Sequence, residues 1–220
     1  RDRMEHSKQF GDRLARAVKQ KNSAVCVGLD PRWDHLPPAL REGVNASSLD
    51  EVAAATQVFC EEVVDAVADV VPIVKPQAAF FEQLGPAGMR CLAGVIAHAR
   101  KSGLLVLLDA KRGDIGSTAS GYASAYLGAS SPWQCDALTV NPYLGDDTLE
   151  PFVSRANSHE AGIFVLVKTS NPGSGFLQDQ TTTSGKIYHR VAEKVQQWSA
   201  ASSGGSGYGN VGAVVGATYP

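Results

Sequence analysis

Strand-like and helix-like segments alternate six times along this sequence. The apolar, β-branched segments that predict strands are Ala24–Asp30, Val70–Lys75, Leu104–Leu108, Ala137–Asn141, Gly162–Thr169 and Val211–Thr218. The stretches between them carry apolar residues at helical spacing, and no series of short hairpin turns intervenes. This alternation predicts an α/β fold in which helices cross over between parallel strands.

Polar side chains repeatedly stand at the carboxyl ends of the predicted strands. They are Asp30, Lys75, Asp109, Lys111, Asn141 and Ser170. In a barrel these strand ends converge on one face, which carries the active site. A doubly wound sheet would also bind ligands there, but no G-x-G-x-x-G or G-x-x-x-x-G-K-[ST] sequence follows any predicted strand. The pattern therefore favours a TIM (β/α)8 barrel, of which the chain supplies about six βα units.

The length of 220 residues predicts a single barrel domain over 1–220, which is expected to lack its last two strands. Residues 199–210, SAASSGGSGYGN, are expected to be too polar to pack and to form a flexible connector within it.

A net charge of −2 gives no attraction to nucleic acid or to an anionic membrane. No apolar run is long enough to span a bilayer. The four cysteines form no C-x-x-C pair, which favours reduced thiols in a cytoplasmic protein.

The segment Leu104–Thr118 concentrates the charged residues. Its apolar first part is followed within a few positions by Asp109, Lys111, Arg112 and Asp114. Because strand side chains alternate between faces, Asp109 and Lys111 are expected to point the same way. Burying such charges is costly unless they serve one another or a ligand. The segment is therefore a candidate site, and a solvated ion pair at a strand end is the alternative.

The sequence LDAKRGDIGST at Leu108–Thr118 resembles the signature of the orotidine 5′-monophosphate decarboxylase family. Other strand ends resemble the family too, and their variants are similar to its longer bacterial subgroup: Val27–Asp30 (VGLD), Val74–Gln77 (VKPQ), Thr139–Tyr143 (TVNPY) and Thr169–Gly173 (TSNPG). The resemblance implies a TIM barrel that converts orotidine 5′-monophosphate to uridine 5′-monophosphate in de novo pyrimidine synthesis. It also implies an enzyme that uses neither a metal nor another cofactor.

The resemblance implies roles for the charged segment. Asp109 would lie against the substrate carboxylate, and Lys111 would deliver a proton to the pyrimidine carbon that loses it. Asp114, with Ile115 and Thr118, would cross a homodimer interface into the site of the partner. The two acids flanking Lys111 are expected to hold its ammonium group in place.

The resemblance also implies substrate-binding residues. Asp30 and Lys75 would hold the ribose hydroxyls, and Ser170 would hydrogen-bond the pyrimidine ring. Asn141, which ends the fourth predicted strand, is counted with them. The phosphate-binding residues of the family would follow beyond Pro220.

Other functions remain open from the residues alone. Asp109 and Asp114 could hold magnesium in a sugar-phosphate decarboxylase or synthase on the same barrel. Lys75 or Lys168 could form a Schiff base, as in aldolases. A noncatalytic phosphosugar-binding protein would keep the scaffold without turnover.

Overall fold

The computed structural model describes residues 7–183 and 185–218. Six parallel strands form the main sheet in the order β1-β2-β3-β4-β5-β8, and a short antiparallel hairpin, β6-β7, lies outside it. The strands are β1 Cys26–Leu29, β2 Ile73–Pro76, β3 Leu105–Arg112, β4 Ala137–Val140, β5 Gly162–Lys168, β6 Thr181–Thr182, β7 Gly185–Lys186 and β8 Val211–Val215.

Helices alternate with the strands of the main sheet. In the described residues the α-helices are α1 Phe10–Lys21, α2 Pro38–Arg41, α3 Leu49–Val67, α4 Ala78–Glu82, α5 Gly85–Lys101, α6 Gly116–Tyr126, α7 Glu150–Ser158 and α8 Ile187–Ala201. Single 3-10 turns occupy Trp33–His35 and Pro172–Phe176. None of the described helices has the length and apolarity needed to cross a bilayer.

The strands form where apolar residues can be covered on both faces. All four residues of β4 are buried, and Val106 and Leu108 of β3 have no exposed surface. Ser48 caps the start of helix α3, because its hydroxyl accepts a hydrogen bond from the Glu51 amide. The helix buries Val64 in the same core. Strands covered on both sides are typical of parallel sheets with helical crossovers.

The strand order shows which α/β architecture this is. Each strand of the main sheet lies beside the preceding one, from β1 to β8, without a reversal of direction across the sheet. A doubly wound sheet would show such a reversal at the point where it binds ligand. The sheet instead curls into a half-barrel, which confirms the predicted TIM-barrel class and the six βα units.

The segment 199–210 differs from the expectation of an unpacked connector. Its first three residues end helix α8, and Asn210 is buried. The amides of Gly205 and Ser206 donate hydrogen bonds to the buried carboxylate of Asp12 on α1, at 3.1 and 2.7 Å. The expectation that the segment is too polar to pack was wrong, because small residues let the backbone itself approach that carboxylate.

Candidate active site

A network of charged side chains lies at the carboxyl ends of β2 and β3. The buried carboxylate of Asp109 accepts hydrogen bonds from Lys111 Nζ at 2.7 Å and from Lys75 Nζ at 2.9 Å, on different oxygens. Gln77 Nε2 donates to the oxygen that Lys75 contacts, at 3.1 Å, and the Thr139 hydroxyl donates to the other, at 2.9 Å. One carboxylate therefore orients two ammonium groups that approach it from neighbouring strands.

The surroundings of Asp109 decide its charge. Burial alone would raise the pKa of this carboxyl, but the hydrogen bonds from Lys111 and Lys75 outweigh it and hold the pKa below its usual range. Asp109 is therefore ionised at neutral pH. Its two ammonium partners compensate the cost of burying that charge.

Lys111 sits in an irregularity of β3. Its φ is +49°, in the left-handed region, and the pairing of β3 with β4 shifts register between Leu108 and Arg112. These features are those of a β-bulge, which re-aims side chains beside active sites. The alternation of a strand predicts Asp109 as the neighbour of Lys111, and the structure shows this contact within a bulged part of β3.

Two cavities meet at Lys111, whose side chain is 45% exposed. One cavity, of about 470 Å³, is lined in part by Asp30, Asp109 and Lys111. The other, of about 660 Å³, is lined in part by Lys111, Asn141 and Ser170. The structure thus gathers most of the predicted substrate-binding residues around one amine.

The segment after Lys111 does not join this network. Asp114 accepts a hydrogen bond from the Ile115 amide at 2.8 Å, and among the described residues no ion pair links its carboxylate to Lys111. Ile115 and Thr118 are exposed and lie outside the described lining of both cavities. Within one chain only Asp109 holds Lys111, because the backbone turns away from β3 into α6 at Gly116, and a second acid from a partner chain stays a prediction.

Two residues of the network were not assigned from the sequence. Gln77 stands two positions after Lys75, so the alternation that relates Asp109 to Lys111 could have identified it. Thr139 is buried within the apolar strand β4 and looks there like a core residue. A hydroxyl among apolar neighbours was the available signal.

The Schiff-base alternative finds no support in the environment of the two lysines considered for it. Lys168 Nζ contacts Asp179 Oδ2 at 2.9 Å and Ser174 Oγ at 3.1 Å, which ties β5 to the segment that follows it. Lys75 Nζ is bound to Asp109. An amine held in an ion pair is not free to attack a carbonyl group.

Sequentially ordered parallel strands with a charged cluster at their carboxyl ends define a (β/α)-barrel type of enzyme. The sequence model of the orotidine 5′-phosphate decarboxylase / HUMPS family matches residues 23–220. The chain belongs to this family.

Individual relatives cover nearly the whole chain. The orotidine 5′-phosphate decarboxylase of Rhodopirellula baltica is 57% identical over 215 residues, which span 96% of this chain and 71% of that protein. That of Caldicellulosiruptor bescii is 39% identical over 221 residues, which span 96% and 72%. The solved structure of Leishmania donovani OMP decarboxylase aligns with a TM-score of 0.75 and 36% identity, over 96% of this chain and 71% of that one.

Proposed function

We propose that the chain decarboxylates orotidine 5′-phosphate to uridine 5′-phosphate in de novo pyrimidine synthesis. The observation that carries this proposal is the Lys75–Asp109–Lys111 network, in which the amine of Lys111 is held by Asp109 and borders both cavities. Relatives that align with nearly the whole of this chain bear the name of that enzyme.

The reaction requires stabilisation of a localised negative charge. When the bond from the pyrimidine ring to the carboxylate breaks, carbon dioxide leaves, and its electron pair stays in an orbital in the ring plane. The ring cannot delocalise that pair, so a cation fixed beside the carbon is the effective aid. Lys111 supplies this ammonium group, and a proton moves from its Nζ to the carbon to complete the product.

Asp109 has two roles in this scheme. It holds Lys111 at 2.7 Å, and its charge faces the substrate carboxylate. At ~4 Å and an effective dielectric constant of ~20, the repulsion between two such charges is about 4 kcal/mol. Enzymes lower barriers by about 8–23 kcal/mol, so stabilisation of the carbanion by Lys111 provides the larger share.

The remaining site residues bind the substrate. Asp30 and Lys75 hold the ribose hydroxyls: an ammonium group has three donors, so Lys75 can bond a hydroxyl while it stays on Asp109. Ser170 binds the pyrimidine ring from the larger cavity, and Asn141 borders the same space.

A second copy of the chain completes the site. Asp114 does not reach Lys111 within its own chain, and Ile115 beside it is 63% exposed. A two-fold homodimer would bring the segment with Asp114, Ile115 and Thr118 to the partner's cavity, where the Asp114 carboxylate would be the second acid beside Lys111.

The cytoplasm is the proposed location of the protein, because its four free cysteines suit a reducing compartment.

The magnesium alternative is disfavoured by the partners of Asp109. Each of its oxygens already accepts a hydrogen bond from an ammonium group. A divalent cation placed there would be repelled by both Lys75 and Lys111. Full turnover in the presence of a chelator is therefore expected, and turnover abolished by the chelator and restored by magnesium would favour the alternative.

The decisive experiment follows pyrimidine absorbance during incubation with orotidine 5′-phosphate. Wild-type protein should consume the substrate. Lys111→Ala should lose nearly all turnover, while Lys101→Ala, at the exposed end of α5, should keep it. Folded wild-type protein that binds the nucleotide without consuming it would instead indicate a noncatalytic binding protein.

A further inference from the structure

The hydroxyl of Thr139 lies at the centre of the active-site network, although the other three residues of β4 are apolar. Its oxygen accepts hydrogen bonds from the amides of Ala110 at 3.0 Å and Lys111 at 2.9 Å. The same hydroxyl donates to Asp109 Oδ1 at 2.9 Å. A hydroxyl has one donor and two acceptor positions, so every position is occupied.

This full occupancy fixes the direction of the hydrogen bonds. Backbone amides can only donate, so the hydroxyl proton of Thr139 has to point at Asp109. The Asp109 oxygen that accepts it also accepts from Lys111 Nζ. Thr139 therefore orients the carboxylate and the backbone of the lysine at once.

The bulge in β3 explains why such a group is needed. Where the register of β3 against β4 shifts, two consecutive amides face the same side and cannot both find carbonyl partners on the neighbouring strand. Both amides are partly shielded from water, and amides without partners in such surroundings are costly. In addition, Lys111 adopts a left-handed conformation that non-glycine residues hold only when the surroundings enforce it.

We propose that Thr139 is a positioning residue, whose hydroxyl holds the bulge that aims the Lys111 amine at the reacting carbon. The proposal rests on the proposed decarboxylase function, because it concerns the lysine that carries that reaction. Valine at position 139 would preserve the shape of the side chain but leave both amides unpaired and the carboxylate short of one donor.

The test compares variants at Thr139 by their kinetic constants for orotidine 5′-phosphate. Thr139→Val should lower kcat by about 100-fold, the scale expected from a misplacement of about 1 Å, with KM changed by less than about threefold, since an interaction needed only in the transition state is lost. Thr139→Ser, which keeps the hydroxyl, should restore most of kcat. Thr148→Val is the matched control, because it removes another buried hydroxyl, one that donates to the Gly145 carbonyl at 2.7 Å.

The outcomes separate this proposal from the proposed function. An inactive but folded wild type would refute the function itself. An active wild type with an equally active Thr139→Val would overturn only the role of Thr139. A loss of kcat shared by Thr148→Val, or not rescued by serine, would do the same, since it would show a general structural effect. If Thr139→Val does not fold, Thr139→Ala replaces it with the same expectations.

Discussion

The buried carboxylate of Asp12 offers a direct test of how the Gly/Ser-rich turn is held. Asp12 has no exposed surface. Burial alone would raise its pKa, but hydrogen bonds from Ser206, Ser7 and Gly205 outweigh that effect and lower the pKa from 3.8 to about 2. The perturbation is Asp12→Asn, which keeps the shape and one acceptor oxygen but removes the charge.

The magnitude follows from the pKa difference between the folded and unfolded states. A shift from 3.8 to about 2 at 1.36 kcal/mol per unit gives a contribution of about 2 kcal/mol to the free energy of unfolding. Because the folded-state pKa is lowered, this contribution is fully present above the unfolded value. It is lost as the pH falls through about 2, and about half of it is gone by pH 3.

The assay is urea unfolding followed by tryptophan fluorescence. At pH 7 the free energy of unfolding of Asp12→Asn should be about 2 kcal/mol lower than that of wild type, which corresponds to a Tm roughly 4–8 °C lower. The control variant Glu62→Gln, on the exposed face of α3, should have the same free energy of unfolding as wild type. The difference in free energy of unfolding between wild type and Asp12→Asn should be smaller when both are measured at pH 3. Equal stability at pH 7, or a gap that does not narrow, would refute the electrostatic argument.

Three further predictions concern the active site. Mixing the inactive variants Lys111→Ala and Asp114→Ala, with subunit exchange, should restore about one quarter of wild-type turnover if each site is shared between two copies; a mixture that stays inactive would contradict the shared site. Ser170→Ala should raise KM about tenfold in initial-rate measurements, through loss of one hydrogen bond to the pyrimidine, and an unchanged KM would argue against that contact. Asp109, which faces the ammonium groups of Lys75 and Lys111 and shares a cavity with Asp30, has a lowered pKa. Protonation of Asp109 should therefore reduce turnover only at a lower pH than it would for a carboxyl of ordinary pKa, and Asp109→Asn should remove nearly all turnover at every pH; appreciable turnover by Asp109→Asn would contradict the need for the ionised carboxylate.

The parts of the fold that the sequence predicted depend on local chemistry. Apolar segments separated by helical patterns located all six strands of the main sheet to within a few residues. Polar residues at their carboxyl ends predicted where Asp109 and Lys111 would meet, and their amine and carboxylate are indeed 2.7 Å apart. Such features follow from side-chain type and spacing, which a single sequence displays.

The parts that were missed depend on contacts between distant segments or on irregular backbone. Asp12 meets Gly205 across 193 positions, and no local pattern announces that partner. Asp114 lies three residues after Lys111, yet the backbone leaves the strand between them. Thr139 serves a bulge on another strand, which cannot be inferred from a pattern that assumes regular pairing.

The left-handed backbone at Lys111 means that folding and catalysis favour different residues at this position. In a saturation library at this position, the yield of folded protein would be highest for glycine and asparagine, which tolerate that conformation, and lowest for β-branched residues. Turnover would survive only with the native amine. The yield of folded protein and the turnover would thus rank the same twenty residues in different orders, and this difference would show that lysine is needed at position 111 for chemistry rather than for folding.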